Sequence, residues 1–319
     1  MNTNIINQFK LLEKQIMFEI DISPKKEKLK NMFRLEATRQ VINQLNKINF
    51  KITNSEQVKD IQKIGKKTLK RIDEILETGK LKEIKISDKQ LEYIKLFEKL
   101  EDIYGIGKSK AYELFTKYNI KSIDDLKKLK LSRNIMKGLE YFDKIKQNIP
   151  RNEITELIHY MNNVLHMIDR KLIGLACGSY RREKAESNDV DFIVTHPDIE
   201  SLENQNYIEL IVTQMKKDNI IIDSFTRDDV KTKYMGIYKW NDILHRIDIR
   251  FVPYKSWYSA ILYFTGSKEL NKKMRMIAKS MGYILNEYGL FNKKKMIEIK
   301  SEKDIFTILN MEYIDVKNR

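Results

Sequence analysis

Proline is absent between Pro24 and Pro150, and that omission constrains the first half of the chain more than any other feature. A proline inside a helix removes a backbone hydrogen bond and clashes with the turn before it. A long proline-free stretch with apolar residues every three or four positions can therefore run as helix after helix. That spacing recurs in residues 11–18, 32–48, 68–76 and 91–100. Beyond Pro150 the texture changes. Residues 172–176, 190–194, 220–223 and 247–252 are short, β-branched and partly alternating, which predicts strands, with helical patterns at 154–168 and 202–217. The expected class is α+β, an all-helical half followed by a mixed half, with the main boundary near Ile149-Pro150-Arg151.

Two segments of the helical half echo each other. Ile61-Gln-Lys-Ile-Gly65-Lys-Lys-Thr matches Ile103-Tyr-Gly-Ile-Gly107-Lys-Ser-Lys, each an apolar-glycine turn opening a helix whose first turn is basic. The helix dipole disfavours cations there, so two such turns call for an anion such as phosphate, held by backbone N–H groups and lysines.

The charge balance agrees. Lys and Arg number 60 against 45 Asp and Glu, a formal charge of +15. Residues 1–90 hold 20 of the basic and 12 of the acidic residues, so +8 of the surplus lies in 28% of the chain. The Lys-, Asn- and Ile-rich composition would suit a virus or an AT-rich microbe, but codon bias does not explain that asymmetry, which points to an N-terminal module for a polyanion. The single cysteine, Cys177, excludes an intrachain disulfide. With no apolar leader and no run of ~18 apolar residues, the expectation is an intracellular protein, nuclear or cytoplasmic, with no membrane partner. His159, His166, His196 and His245 form no metal spacing with Cys177.

The chemistry concentrates in Cys177-Gly-Ser-Tyr-Arg-Arg-Glu-Lys-Ala-Glu-Ser-Asn-Asp-Val-Asp191. Asp189 and Asp191 open an apolar strand, and residues two apart share a face. Adjacent carboxylates repel unless cations neutralise them, so the pair reads as a magnesium site. A third, Asp248, stands between Ile247 and Ile249 in another strand, where a carboxylate is costly unless paired or metal-bound. Three such donors on one face can hold two ions ~4 Å apart, the arrangement for in-line phosphoryl transfer. Upstream, Gly178-Ser179 and Arg181-Arg182 suit a triphosphate.

Gly178-Ser-Tyr-Arg-Arg182, then Asp189-Val-Asp191 and Arg246-Ile-Asp-Ile-Arg250, resembles the nucleotidyltransferase superfamily, in particular the family X DNA polymerases of the DNA polymerase beta type. Further matches are Lys233-Tyr-Met-Gly236, Tyr263-Phe-Thr-Gly-Ser267, Asn271-Lys-Lys-Met-Arg275, Asn286-Glu-Tyr288 and Ser301-Glu-Lys-Asp-Ile-Phe306, colinear with the two hairpins.

The resemblance implies a chain organised as a 5′-phosphate-binding, lyase-like helical domain with a first helix-hairpin-helix (1–88), a second such DNA-binding subdomain (89–149), a nucleotidyltransferase palm (150–253) and a nucleotide-selecting α+β subdomain (254–319). It implies a monomer that fills gaps in nicked or gapped duplex DNA from dNTPs, in base excision repair. Asp189, Asp191 and Asp248 would hold two magnesium ions, Asp248 also helping to deprotonate the primer 3′-OH. Ser179, Arg182, Asn188, Tyr263, Phe264, Gly266 and Asn271 would surround the nucleotide. Arg34, Arg39, Lys67, Gly105, Gly107, Lys233, Arg246 and Arg275 would contact DNA. Carbonyls of Lys59, Ile61 and Ile64, and of Glu101, Ile103 and Ile106, would each hold a sodium or potassium ion.

The chain also departs from the family pattern. The lysine that forms a Schiff base with an abasic sugar falls at Arg71, which stays protonated and cannot form that imine. Lyase activity is therefore expected to be absent or weak, with Lys67 and Lys70 about one turn or less away and Lys70 the candidate substitute nucleophile. Lys63, Glu183 and Asn188 stand where glycines are usual, Asn148 replaces an arginine near the triphosphate, and Lys268 replaces an aspartate. The competing readings are a template-independent nucleotidyltransferase and a non-catalytic scaffold that grips gapped DNA.

Overall fold

The structure, a computed structural model, describes residues 2–22, 25–118, 120–145, 148–203, 205–226 and 231–319. The chain divides into two compact units, Met1–Leu131 and Ser132–Arg319.

The first unit is helical: α1 (Thr3–Ile22), α2 (Lys25–Lys47), α3 (Lys66–Thr78), α4 (Asp88–Glu101), α5 (Lys108–Tyr118) and the single turn α6 (Ile123–Leu126). Helix α1 places Ile5, Phe9, Leu12 and Ile16 on one stripe, all buried against Val41, Ile42 and Leu45 of α2 and Ile72 and Ile75 of α3. Phe9 is fully buried, and truncating it to alanine would cost about 3–5 kcal/mol. Asn54 and Ser87 cap the helical turns that follow them with reciprocal capping boxes.

The two hairpin turns are built alike. Ile61 N–H bonds the Val58 carbonyl and Ile103 N–H the Leu100 carbonyl, at 3.2 Å each; Ile64 N–H bonds Ile61 and Ile106 N–H bonds Ile103, at 3.0 Å each. Ile64 and Ile106 are both buried. Gly105 takes φ +88°, and Lys63 takes φ +74° at the equivalent place, so the first hairpin keeps the glycine conformation with a side chain that bears its cost, about 1–2 kcal/mol.

The second unit opens with α7 (Arg133–Tyr141), β1 (Ile149–Pro150) and α8 (Arg151–Ile168), followed by β2 (Ile173–Ala176), the short α9 (Gly178–Arg181), β3 (Glu186–Ser187), β4 (Asp189–Thr195), α10 (Tyr207–Lys217), β5 (Ile221–Ser224), β6 (Lys233–Trp240) and β7 (Ile243–Phe251). Five of these strands form one sheet in the order β2-β4-β7-β6-β5, antiparallel except for the central β4–β7 pair. One face carries Val190, Phe192, Val194, Ile247, Ile249 and Phe251 against Leu157 and Met161 of α8 and Ile208 and Ile211 of α10. The remainder is α11 (Trp257–Thr265), α12 (Lys268–Ser280), the three-stranded sheet of β8 (Tyr283–Asn286), β9 (Gly289–Asn292) and β10 (Lys295–Met296), and α13 (Glu302–Ile308).

The compact-unit boundary falls at 131/132, with α7 in the second unit, where Lys137 pairs with Asp223 and Tyr141 meets the Phe225 ring edge-on. Two sequence expectations differ from this structure. Strand β6 was not expected; Asn241 and Asp242, both at positive φ, turn it back tightly onto β7. Helix α10 begins at Tyr207, not at Leu202. Among the described residues, no helix is long and apolar enough to cross a membrane.

Candidate active site

The face of the sheet turned away from α8 and α10 is polar where β4 and β7 meet. Asp191 stands directly opposite Asp248 in the parallel ladder, and Asp189 opposite Arg246. Alternation explains it: Ile247 and Ile249 point into the core, which sends Arg246, Asp248 and Arg250 to the other side. Asp191 and Asp248 sit in a poorly solvated place. Burial, and then the charges of Asp189 and Asp248, push the Asp191 carboxyl up to about 8. Burial, with Asp189 adding and Arg246 opposing, pushes Asp248 to about 6.

Asp189 is paired with a cation. Arg246 Nη2 donates to its Oδ2 at 2.5 Å. Among the described residues no three acidic, histidine or cysteine side chains are arranged as a metal-ligand set. The donor chemistry nevertheless fits divalent cations, because two opposed, desolvated carboxylates need positive charge to ionise together.

Gly178 makes room for them. It takes φ +55°, and a Cβ there would stand well inside 3.0 Å of Asp191 Oδ2. The turn continues through Ser179 and Arg181 to Glu183 at φ +60°, which adopts the left-handed conformation at a position where glycine is usual. Asn188 shows no positive φ, so its substitution for glycine requires no special backbone freedom.

Beside the aspartates opens a cavity of about 710 Å³. It gathers Ser179, Arg182, Asn188, Asp189, Asp191, Tyr263, Phe264, Gly266, Asn271 and Arg275, ten of the residues expected from the sequence. Asp248, Arg246 and Lys233 are not in its lining; they lie on β7 and β6, and Lys233 pairs in register with Arg250. Burial, and then Arg250, hold the Lys233 amine below its usual range.

Within the cavity Ser179 Oγ bonds Ser187 Oγ at 2.7 Å, and Arg182 Nη1 donates to the Thr265 carbonyl at 2.5 Å. Asn271 Nδ2 donates to the Tyr263 carbonyl at 2.6 Å, and the Arg275 guanidinium lies 4.9 Å from the Tyr263 ring centre. Glu186, Arg250 and Lys272 also line it and were missed in the sequence. Asn148 Nδ2 donates to Glu186 at 2.8 Å.

In the first unit three of the expected phosphate cations are engaged with carboxylates. Arg34 pairs with Glu19 and Arg39 with Glu13, each at 2.7 Å, and Lys59 with Glu56 at 3.0 Å. Lys67 and Lys70 are exposed. Arg71 is forked onto Glu83, Nη2 to Oε2 at 2.9 Å with Nε on Oε1. Burial would raise the Glu83 pKa, but the Arg71 bonds and charge, with Lys67 and Arg34, hold it below the usual carboxylate range. Glu83 was not singled out in the sequence, because no local pattern links it to Arg71.

Comparison with known proteins covers most of the chain. Residues 2–81 match the family described as helix-hairpin-helix domain, and 98–146 the fingers domain of DNA polymerase lambda. Residues 148–254 match the DNA polymerase beta palm and 260–319 the DNA polymerase beta thumb. The chain is 25% identical to DNA polymerase lambda of Rattus norvegicus over 96% of its length and 57% of that protein's. It is 29% identical to DNA polymerase lambda of Arabidopsis thaliana, over 86% and 56%. It is 23% identical to the DNA-directed DNA/RNA polymerase mu of Homo sapiens, over 84% and 61%. The chain thus spans little more than half the length of these relatives.

Proposed function

The chain belongs to the family X DNA polymerases, and on that premise we propose that it is a template-directed DNA polymerase that fills short gaps during repair. The observation that carries this reading is the opposition of Asp191 and Asp248 at the edge of a cavity walled by Ser179, Arg182 and Tyr263–Gly266. Asp189, Asp191 and Asp248 would hold two magnesium ions, which when bound supply charge neutralisation for an in-line displacement at phosphorus. Arg182 and Ser179 orient the triphosphate tail of a dNTP. Asp248 stands on the β7 side, where it accepts the proton of a primer 3′-OH.

Tyr263 and Phe264, edge to face at 5.0 Å between centroids, form the wall against which the sugar packs, and leave little room for a 2′-OH. Asn271 and Arg275, on one face of α12, reach toward the minor-groove side of the new pair; Lys233 and Arg246 lie toward the primer.

The four segments 1–88, 89–149, 150–253 and 254–319 are proposed as the working domains. The first two bind DNA backbone through Gly105, Gly107 and the paired turns, whose carbonyls at Lys59, Ile61 and Ile64, and at Glu101, Ile103 and Ile106, suit a sodium or potassium ion. Arg34, Arg39, Lys59 and Lys67 suit a 5′-phosphate in gapped DNA. The protein acts as an intracellular monomer.

Extension on a one-nucleotide gap, run with each of four templating bases and with dNTPs or rNTPs, tests the proposal. Incorporation should follow the template, prefer deoxynucleotides, and improve when the gap carries a 5′-phosphate. Incorporation indifferent to the templating base would instead support a template-independent nucleotidyltransferase, and gap binding without incorporation a scaffold.

A further inference from the structure

Behind the cavity lies a charged cluster that the reaction does not touch. Arg181 lies within the cavity-lining turn, between Ser179 and Arg182, but is not itself part of the lining. Its fork faces away: Nη1 donates to Thr265 Oγ1 at 2.7 Å and to Glu302 Oε1 at 3.1 Å, and Nη2 to Glu302 Oε2 at 2.7 Å. Glu302 is itself buried and accepts from Arg319 Nη1 at 2.6 Å. The Arg319 side chain is fully buried, its guanidinium over the rings of Phe306 and Tyr313. The next residue, Arg182, holds the Thr265 carbonyl. Two consecutive arginines therefore grip Thr265 by its hydroxyl and by its carbonyl.

Thr265 ends α11, directly after Tyr263 and Phe264 and before Gly266, all of which wall the cavity. Gly266 lies close enough that a Cβ would meet Arg182 Nη1 at 3.3 Å. The gap between the 178–182 turn and the 263–266 wall is thus set by how Arg181 and Arg182 hold one residue.

We infer that Arg181, braced by Glu302 and Arg319, is a positioning residue that fixes the width of the nucleotide cavity; this rests on the polymerase reading of that cavity. A buried cluster of two guanidinium groups and one carboxylate is a poor way to gain stability, since apolar residues of similar volume serve as well or better. What a forked, bidentate pair provides instead is a fixed distance and angle. Here the fixed part is a wall contributed from 84 residues along the chain and a brace from 121 residues along it.

Thr265 provides the decisive pair of variants. Thr265→Val keeps the volume and loses the hydroxyl; Thr265→Ser keeps the hydroxyl and loses a methyl. If the hydroxyl positions the wall, Thr265→Val should raise the KM for the correct dNTP by about tenfold, in line with the loss of one hydrogen bond to a charged group. Thr265→Ser should stay within about twofold of wild type. A packing role gives the opposite order. Arg181→Lys, which keeps charge without the fork, should raise KM like Thr265→Val while kcat and the Kd for gapped DNA stay near wild type. The same loss should appear in equilibrium dNTP binding to a complex whose primer ends in a dideoxynucleotide.

Thr265→Val with wild-type KM, or Thr265→Ser worse than Thr265→Val, overturns the inference. If Arg181→Lys proves too unstable to assay, the Thr265 pair alone decides. A wild-type protein that incorporates nothing sinks the polymerase reading instead.

Discussion

Gly178→Ala tests how the carboxylates of the proposed active site are accommodated. The added methyl would lie well inside 3.0 Å of Asp191 Oδ2, whereas ordinary contact begins at 3.4 Å. Asp191 cannot retreat easily: it is half-buried, and its own carbonyl accepts the Cys177 N–H at 2.8 Å. The carboxylate must therefore yield by about 1 Å, a displacement that at a reacting centre costs on the order of 10²-fold in rate. A second cost comes from the backbone. Alanine at φ +55° is strained by about 1–2 kcal/mol, which in a unit of this size lowers Tm by roughly 2–8 °C. Single-turnover incorporation on a one-nucleotide gap, beside a thermal melt and a gapped-DNA titration, separates the effects. The expected result is a rate down by about two orders of magnitude, a modest fall in Tm, and unchanged DNA affinity. A rate within threefold or so of wild type would refute the reasoning, because the carboxylate would then tolerate the displacement.

Three more outcomes follow. Magnesium at a hundred times its Kd should stabilise the wild type by about 2.7 kcal/mol, seen as a rise in Tm, and should leave Asp191→Ala and Asp248→Ala unmoved; equal shifts in all three proteins would refute the metal assignment. His245 is 1% exposed with neither ring nitrogen hydrogen-bonded, and burial lowers its pKa from the usual 6.5. Below that value the unfolded chain binds a proton the folded one resists, so stability should fall with falling pH at a slope approaching about 1.4 kcal/mol per unit; urea titrations of His245→Leu at pH 5 and 7 should lack this share of the acid sensitivity, and an unchanged pH dependence would count against it. Borohydride should fail to trap the protein on DNA with an incised abasic site, because Arg71 is locked to Glu83 and Lys70 is exposed; trapping that persists in Arg71→Ala and disappears in Lys70→Ala would show Lys70 to be a nucleophile.

What the sequence disclosed was whatever repeats at short range. The apolar stripe of α3, the doubled hairpin turns, and the alternation that puts Asp248 between two core isoleucines are all legible within ten residues. Arg71 was legible as a departure, but its fork onto Glu83 was not, because the partner arrives from a separate turn. The same holds for Arg181 and Glu302, 121 residues apart. Strand β6 escaped because its motif, Lys233-Tyr-Met-Gly236, was read as a match and not as alternation; the Asn241-Asp242 turn was the signal that would have revealed it. The engagement of Asp189 by Arg246 follows from parallel register, which no local pattern specifies.

That register also dictates an order of assembly. Strands β6 and β7 are joined by two turn residues and can zip as soon as they are made. Strand β4 must find β7 across an intervening helix and hairpin, with Asp189 and Arg246 57 residues apart, and long closures of this kind slow folding. The ladder that brings Asp191 against Asp248 is therefore expected to close after the β6–β7 hairpin. Like charges meet as that ladder closes, and the rate at which the proposed site forms should depend on how soon a counter-ion screens them.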